Sequence, residues 1–245
     1  MPDTGRVLVA CPTYAGKEYA LDAWVAGFEA LEYPDKFAYQ VDNTNRSLDP
    51  ELRYFDRIRA TGIDATHMDP WPDWDRTFRR CWGLILEHAQ SLGAYWVLSM
   101  EADNVVAPEG LGVMVDLALA GAAHLVTPSY PMHASAAAAS GKDPGTFYYN
   151  ELGCALMSRS LLARALDEYD EYGQMVIALW ATNDRYMGGH LKLTRRFGVQ
   201  HLDGYEMAVP NLGPSEIPGL FYPADRMPED TGTALPPSLR EATPA

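Results

Sequence analysis

Two carboxylates, Glu101 and Asp103, stand one residue apart directly after an apolar run, in the segment YWVLSMEADNVVAP at positions 95–108. Residues two apart in extended backbone point to the same side, so the pair would face one way if the strand continued. Two negative charges at that range repel each other unless a cation lies between them. Mg²⁺ and Mn²⁺ prefer such oxygen ligands, and substrate phosphates often complete their shell. A solvated turn is the alternative, but the position behind an apolar strand favours a cation site.

The composition limits what such a site can serve. The chain has 245 residues, 47% of them hydrophobic, which is enough for a sizeable core. Its formal net charge of -14 argues against tight, non-specific binding of nucleic acid. The same charge fits a protein whose site collects a cation.

The cysteines and the apolar runs indicate the compartment. Cys11, Cys81 and Cys154 lie far apart in apolar segments without a CxxC spacing, which is typical of buried free thiols in a reducing compartment. No apolar run approaches the ~20 residues that span a bilayer. The N-terminus has no basic region ahead of a long apolar stretch, so no signal peptide is expected. We expect a cytoplasmic protein without a membrane segment.

The hydrophobic pattern alternates between two periods along the first half of the chain. Strand-like apolar runs are expected at 6–10, 37–41, 63–68, 94–100 and 124–128. Helical spacing is expected at 17–31, 50–61, 74–92 and 108–120. Alternating strands and helices predict an α/β fold with a mainly parallel sheet flanked by helices.

The candidate ligand-binding residues lie at the ends of three predicted strands. Parallel sheets bind ligands outside the carboxyl ends of their strands, so these ends should meet in one crevice. The residues concerned are, in chain order, Pro12, Thr13, Tyr14, Asp42, Asn43, Glu101, Ala102 and Asp103. For Asp42 and Asn43, a role limited to shaping the turn is the alternative.

Three segments together resemble a known family. VLVACPTY, FAYQVDNTN and YWVLSMEADNVVAP, spaced over about the first hundred residues, are similar to the nucleotide-sugar half of a GT-A glycosyltransferase of the inverting family-two group. The resemblance implies that the turn at Pro12 lies beside the nucleotide and that Asp42 contacts the base. It implies an Asp-any-Asp motif at Glu101-Ala102-Asp103, where a glutamate replaces the first aspartate, that binds Mn²⁺ or Mg²⁺ and the diphosphate.

The resemblance extends into the second half of the chain, to about residue 205. FYYNELGCALMSRSLLARAL at 147–166 resembles the strand and helix beside the acceptor. In the block that follows, an acidic pair at a helix start supplies the catalytic base, which implies Asp184, with Asn183 as a departure from the pattern. A later histidine can complete the metal shell, which implies His201. The alternatives are a helix cap for Asp184 and an ordinary core or surface histidine for His201.

The predicted helix at 74–92 carries two further candidates. Arg76 and Arg80 are one helical turn apart and could face the diphosphate together. A solvated face with ion pairs to Asp73 or Asp75 is the alternative. Trp71 and Trp74 could stack on a sugar, or they could fill the edge of the core.

The implied function is metal-dependent transfer of a sugar, with inversion, from a nucleoside-diphosphate sugar, preferably a UDP-sugar, to an acceptor hydroxyl. A saccharide or glycoconjugate acceptor is favoured, and a modified nucleic-acid base stays open. A non-catalytic nucleotide-sugar-binding module and a nucleotidyltransferase are the alternatives. The expected organisation is one domain over residues 1–222, with a nucleotide-sugar half at 1–130 and an acceptor half at 131–222. A Pro-rich tail follows at 223–245.

Overall fold

The structure of the protein is a computed structural model that describes residues 5–131, 147–149, 152–187, 191–194, 197 and 199–202. Ten strands are formed within these ranges: β1 Val7–Thr13, β2 Lys36–Asp42, β3 Asp64–His67, β4 Trp96–Met100, β5 Asn104–Val106, β6 Leu125–Pro131, β7 Phe147–Tyr149, β8 Cys154–Ser158, β9 Leu191–Thr194 and β10 Val199–His201.

Most of these strands belong to one sheet. Within the described ranges, its order is β3-β2-β1-β4-β8-β6-β7, and β9 pairs with β6. The neighbours β3, β2, β1 and β4 are parallel. β8 is antiparallel to both β4 and β6, so β6 and its parallel neighbour β9 return to the common direction. Six strands therefore point the same way, which confirms the predicted mainly parallel α/β fold. A separate two-stranded ladder joins β5 and β10.

Helices flank the sheet on both faces. Over the described residues they are a 3₁₀ helix at Ala15–Ala20 and α-helices α1 Leu21–Ala30, α2 Arg53–Ala60, α3 Trp74–Ser91, α4 Gly110–Gly121, α5 Arg159–Asp167, α6 Tyr169–Tyr172 and α7 Met175–Tyr186. Asp73 caps α3, because its carboxylate accepts hydrogen bonds from the backbone N–H groups of Asp75 and Arg76. Gly62 and Gly93, which follow α2 and α3, have φ angles of +86° and +68° that favour glycine.

The alternation of side chains along β1 divides the core in two. Val7, Val9 and Cys11 pack on one face with α1, α2 and α4. Leu8 and Ala10 pack on the other face with α3, α5 and α7. All five side chains are fully buried. β1 is therefore apolar on both faces, as expected for a central strand of a covered parallel sheet.

The predicted elements of the first half differ from the observed ones mainly at their ends. The prediction for the second half is wrong in one respect: Asn183 and Asp184 do not start a helix. The helix α7 begins at Met175, with Gln174 as its N-cap residue, so Asp184 lies near its C-terminal end and cannot cap its start. Nothing in the sequence between 175 and 184 interrupts a helix, and the apolar residues there continue it.

Two further expectations concern the C-terminal tail and membrane-spanning helices. The predicted tail at 223–245 lies outside the described residues, so the division at 222 stays a prediction. In the part of the chain that the structure describes, no helix combines the length and the apolar character needed to cross a membrane.

Candidate functional site

A cavity of about 160 Å³ lies at the carboxyl ends of β1, β2 and β4. The structure brings together here most of the residues that end the predicted strands. Its lining is Pro12, Thr13, Tyr14, Lys17, Asn43, Trp74, Phe78, Trp82, Ser99, Glu101, Ala102, Asp103 and Leu152.

Polar contacts between the strand ends fix the shape of this cavity. The backbone N–H of Asn43 donates to the carbonyl of Thr13 at 2.8 Å, which joins the ends of β1 and β2. The backbone N–H of Ala15 donates to the hydroxyl of Thr44, also at 2.8 Å. Below them, the buried hydroxyls of Thr13 and Tyr54 lie 2.7 Å apart. Buried groups that are satisfied in this way hold the rim of the cavity in one arrangement.

The carboxylates behind β4 lie in a turn, so the strand does not continue through them. β4 ends at Met100, and the backbone N–H of Asn104 donates to the carbonyl of Glu101 at 2.8 Å. Asp103 is 1% exposed, whereas Glu101 is partly buried. Both line the cavity, although the turn, and not strand alternation, places them there.

A lysine that the sequence analysis does not single out contacts Asp103. The ammonium of Lys17, on the 3₁₀ helix after β1, donates to Oδ2 of Asp103. The hydroxyl of Tyr19 donates to the same oxygen at 3.3 Å. The one signal for Lys17 in the sequence is that a basic residue stands four positions after the end of β1.

The described residues do not fit a divalent cation beside this lysine. Across the described ranges, no three His, Cys, Asp or Glu residues are grouped so that they could hold a metal ion. The ammonium of Lys17 already lies on a carboxylate that the metal prediction requires. Two unit charges of like sign repel by roughly 4 kcal/mol at 4 Å near a protein surface, and a divalent ion about doubles that. A divalent cation on Oδ2 of Asp103 would therefore have to displace the ammonium, and the metal-ligand roles of Glu101, Asp103 and His201 stay predictions.

Asp42 lies behind the cavity wall and is not part of its lining. The side chain is fully buried, and its Oδ1 accepts hydrogen bonds from the backbone N–H and the hydroxyl of Thr44. Its Oδ2 lies 2.8 Å from Nδ1 of His67. The neighbouring Asn43 is the residue of this pair that faces the cavity. Contact of Asp42 with a base stays a prediction, and the geometry favours Asn43 for that contact.

The thiol of Cys81 lies behind Asn43. The side-chain amide nitrogen of Asn43 donates to Sγ of Cys81 at 3.6 Å. Burial, above all, raises the pKa of Cys81 to about 11, although the hydrogen bond from Asn43 acts in the opposite direction. Burial also raises the pKa of Cys11, and the negative charges of Glu101 and Asp103 add to this effect. These thiols stay neutral and are poor nucleophiles at physiological pH.

An aromatic wall closes one side of the cavity. Trp74, Phe78 and Trp82 are spaced four residues apart on α3; the ring of Trp74 stacks on that of Phe78, and the ring of Phe78 packs edge-on against that of Trp82. The exposed fraction falls along the wall, from 59% for Trp74 to 1% for Trp82. The indole N–H of Trp82 is buried and has no hydrogen-bond partner among the described residues. Of this wall, only Trp74 is a candidate on the sequence alone.

The predicted arginines lie on another face of α3, along a groove of about 780 Å³ that is separate from the cavity. Arg76 forms an ion pair with Asp73 at 3.6 Å, as the alternative in the sequence analysis expects. Arg80 contacts Glu87 at 2.9 Å. Both are charged groups with exposed partners, and a role at the diphosphate stays a prediction for them.

The two candidates from the second half of the chain are placed differently. Asp184 is exposed on the last turns of α7 and is not among the residues that line the cavity. The backbone of His201 pairs with Asn104, so β10 runs beside the carboxylate turn. The backbone N–H of Leu202 donates to the carbonyl of Asp103 at 2.6 Å. The base and metal-ligand roles stay predictions.

Comparison with known proteins gives a likeness in structure only. No family model and no curated protein sequence matches this chain. A mycobacterial protein superposes with a TM-score of 0.53 and 15% identity, over 81% of this chain and 68% of that one. The crystal structure of S. aureus TarS gives 0.52 and 10%, over 81% of this chain and 37% of the TarS chain. This chain thus spans well under half of TarS.

A third structure overlaps less completely. The mannosyltransferase PcManGT from Pyrobaculum calidifontis, solved with GDP-Man and Mn²⁺, is 17% identical over 67% of this chain and 48% of its own. Its TM-score of 0.43 is too low to support an argument. Similarity at identities of 10% and 15% establishes a fold and not an activity. The chain shares the mixed α/β fold of these two structures, with a GT-A-like, mainly parallel sheet.

Proposed function

We propose that the protein is a glycosyltransferase that takes a sugar from a nucleoside-diphosphate sugar and transfers it to an acceptor hydroxyl. One observation carries this proposal: a single cavity joins the carboxyl ends of β1, β2 and β4 in a GT-A-like fold. Ligands of parallel α/β sheets bind at these ends.

The lining of the cavity suits the two parts of a nucleoside diphosphate. Trp74, Phe78 and Tyr14 offer aromatic faces for a base or ribose, and the amide of Asn43 can both donate and accept hydrogen bonds. The same lining carries the charged groups Lys17 and Asp103. A lining that combines aromatic and amide groups with charged ones suits a ligand with a planar base at one end and phosphates at the other.

The proposed reaction is a single displacement with inversion, as in the family-two enzymes that the sequence resembles. The acceptor oxygen forms a bond to the anomeric carbon while the bond from that carbon to the β-phosphate oxygen breaks. The electron pair of the broken bond stays on the leaving diphosphate, and the acceptor proton passes to a base. Asp184 is the proposed base, on the support of the resemblance alone. For the acceptor we propose a saccharide or glycoconjugate, for which the exposed ring of Trp74 offers a stacking surface.

The test of this function is release of a nucleoside diphosphate. The full chain is incubated with UDP- and GDP-sugars, with and without a panel of saccharide acceptors, both in chelator and in Mn²⁺. Transfer in either condition supports the proposal, and the anomeric configuration of the product, read by NMR, decides inversion. Binding of sugar nucleotides without release under any condition would support the non-catalytic module instead.

A separate variant tests the base. Asp184→Asn removes the proton acceptor at an exposed position, so thermal stability and donor affinity should stay close to those of the wild type. Transfer should slow by about 10²–10⁴-fold, the usual contribution of a general base. If transfer survives this substitution, the base lies elsewhere, with Glu151 and Asp203, both outside the described residues, as the next candidates.

A further inference from the structure

The position that the resemblance assigns to a metal ion holds a side-chain cation instead. The ammonium of Lys17 contacts Oδ2 of Asp103, and the hydroxyl of Tyr19 donates to the same oxygen. A carboxylate oxygen that accepts two hydrogen bonds has used its two lone pairs. A metal on that oxygen would have to displace both donors.

The lysine is placed to contact a ligand as well as the carboxylate. The side chain of Lys17 is 29% exposed, whereas that of Asp103 is 1% exposed, so the ammonium stands between the buried acid and the open cavity. An ammonium has three N–H donors, and Asp103 takes one of them. The remaining donors can reach an anionic oxygen in the cavity. Among the described residues that line it, Lys17 is the one with a positive charge.

The backbone around Lys17 holds it in this position. Its N–H donates to the carbonyl of Tyr14 at 2.8 Å, which closes the first turn of the 3₁₀ helix directly after β1. That helix is tied to the end of β2 through Ala15 and Thr44. Charge at such a preorganised position stabilises a transition state without reorganisation during the reaction.

We propose that Lys17 takes the place of the divalent cation: held by Asp103, it binds the diphosphate of the donor, and the protein works without Mn²⁺ or Mg²⁺. This inference rests on the proposed function. When the bond between the anomeric carbon and the β-phosphate oxygen breaks, its electron pair stays on that oxygen. Lys17 stabilises the added negative charge by a charge-assisted hydrogen bond and transfers no proton. Asp103 and Tyr19 then act as positioning residues for the ammonium.

The test compares nucleotide binding with and without metal. Binding of UDP, GDP, CDP and ADP to the full chain is measured by calorimetry, once in chelator and once in Mn²⁺. The variants are Lys17→Gln, which removes the charge, and Lys17→Arg, which keeps it. Lys36→Gln is the matched control, because Lys36 starts β2 at the opposite end of the parallel strands. Thermal unfolding of each variant shows whether it is folded, and Mn²⁺ binding by the protein alone is followed by electron paramagnetic resonance.

The proposal expects the wild type to bind at least one of the four nucleotides equally well in chelator and in Mn²⁺. Lys17→Gln should weaken that binding about 10- to 100-fold, the usual loss for a hydrogen bond to a charged group, while Lys17→Arg and Lys36→Gln keep it. Wild-type binding that requires Mn²⁺ would overturn the inference and leave the proposed function standing. The inference would also be overturned, and the proposed function left standing, if the Lys17→Gln variant bound Mn²⁺ and bound the nucleotide more tightly than the wild type. Lys17 would then compete with a metal ion for Asp103. If no nucleotide binds in either condition, both proposals fail.

Discussion

Asp42 ends β2 and Asp103 follows β4, the two strands on either side of β1, and both side chains are almost completely buried, yet their surroundings differ. The oxygens of Asp42 contact Thr44 and His67, which belong to the protein interior behind the cavity. Asp103 lines the cavity, and its Oδ2 contacts the partly exposed Lys17. The first carboxylate stabilises the connection between β2 and β3, and the second presents a cation to a ligand.

The comparison shows that a carboxylate at a strand end does not by itself identify a ligand-binding residue. Whether the residue binds a ligand depends on the direction of its side chain, and a shift of one residue along the strand reverses that direction. At the end of β2, Asp42 points behind the wall, whereas the next residue, Asn43, lines the cavity. At the end of β4, a turn brings both Glu101 and Asp103 to the cavity although the strand has ended.

Of the variants that test this contrast, Asp103→Asn should have the largest effect on activity. The variant keeps the size of the side chain but removes the charge that holds Lys17, so transfer should fall by about 10²–10³-fold, as for loss of one preorganised electrostatic contact. Stability should change little, because the freed ammonium can turn into water. Steady-state transfer and thermal unfolding measure the two quantities. Full activity in this variant would show that Asp103 plays no part in the transfer.

Asp42→Asn should show the opposite behaviour. The amide cannot accept from both Thr44 and His67, so the free energy of unfolding should fall by about 1–3 kcal/mol, the cost of an unsatisfied buried group. Urea unfolding measures this loss, and calorimetry of the folded variant with UDP measures affinity, which should be unchanged. A large loss of UDP affinity at unchanged stability would support the predicted contact of Asp42 with the base and contradict the contrast between the two aspartates.

Asn43→Ala sharpens the same contrast at the next residue. It removes the amide that faces the cavity, and a neutral hydrogen bond contributes about 0.5–1.5 kcal/mol, so the Kd for the bound nucleotide should rise about 2- to 12-fold. The rate of transfer at saturating donor should stay close to that of the wild type. Unchanged affinity across the nucleotide series would show that the base lies away from the end of β2.

The fold was largely readable from the sequence because its signals are local. β1 is apolar on both faces, α3 begins at the capping residue Asp73, and glycines follow α2 and α3, so each element carries its own evidence. The predicted helix start at Asn183 and Asp184 is wrong, because the resemblance and the capping preference of these residues favoured it over the apolar residues that continue the helix from Met175.

The site was readable only in part, since its contacts join residues far apart in the chain. The strand ends converge, as a parallel sheet requires, but Lys17 and Asp103 are 86 positions apart and no sequence pattern pairs them. Trp82 reads as a core residue from its spacing on α3, although it also lines the cavity. Arg76 and Arg80 have suitable spacing and charge, but the rotation of α3 turns them toward another groove.

Cys81 extends the comparison to a buried group whose charge the fold excludes, and its ionisation affects stability only at alkaline pH. Its pKa is raised to about 11 by burial, whereas an exposed thiol ionises near about 8.5. Below about pH 8.5 the thiol is neutral in both states, and its contribution to stability is fully present. Above that pH the thiol loses its proton in the unfolded chain but keeps it in the folded protein. The free energy of unfolding therefore falls until the pH passes about 11.

The experiment compares the wild type with Cys81→Ala, because Cys11 and several tyrosines with raised pKa values also titrate in this range. Urea unfolding under reducing conditions is followed at about pH 8 and about pH 10. The variant is less stable at both pH values because the substitution leaves a cavity. Between the two pH values, however, its free energy of unfolding should fall by roughly 1–2 kcal/mol less than that of the wild type. Equal declines would mean that Cys81 ionises as readily in the folded protein, and hence that water reaches the interior behind Asn43. In that case the cavity and the region around Asp42 would form one solvated space, and the contrast between the two aspartates would fail.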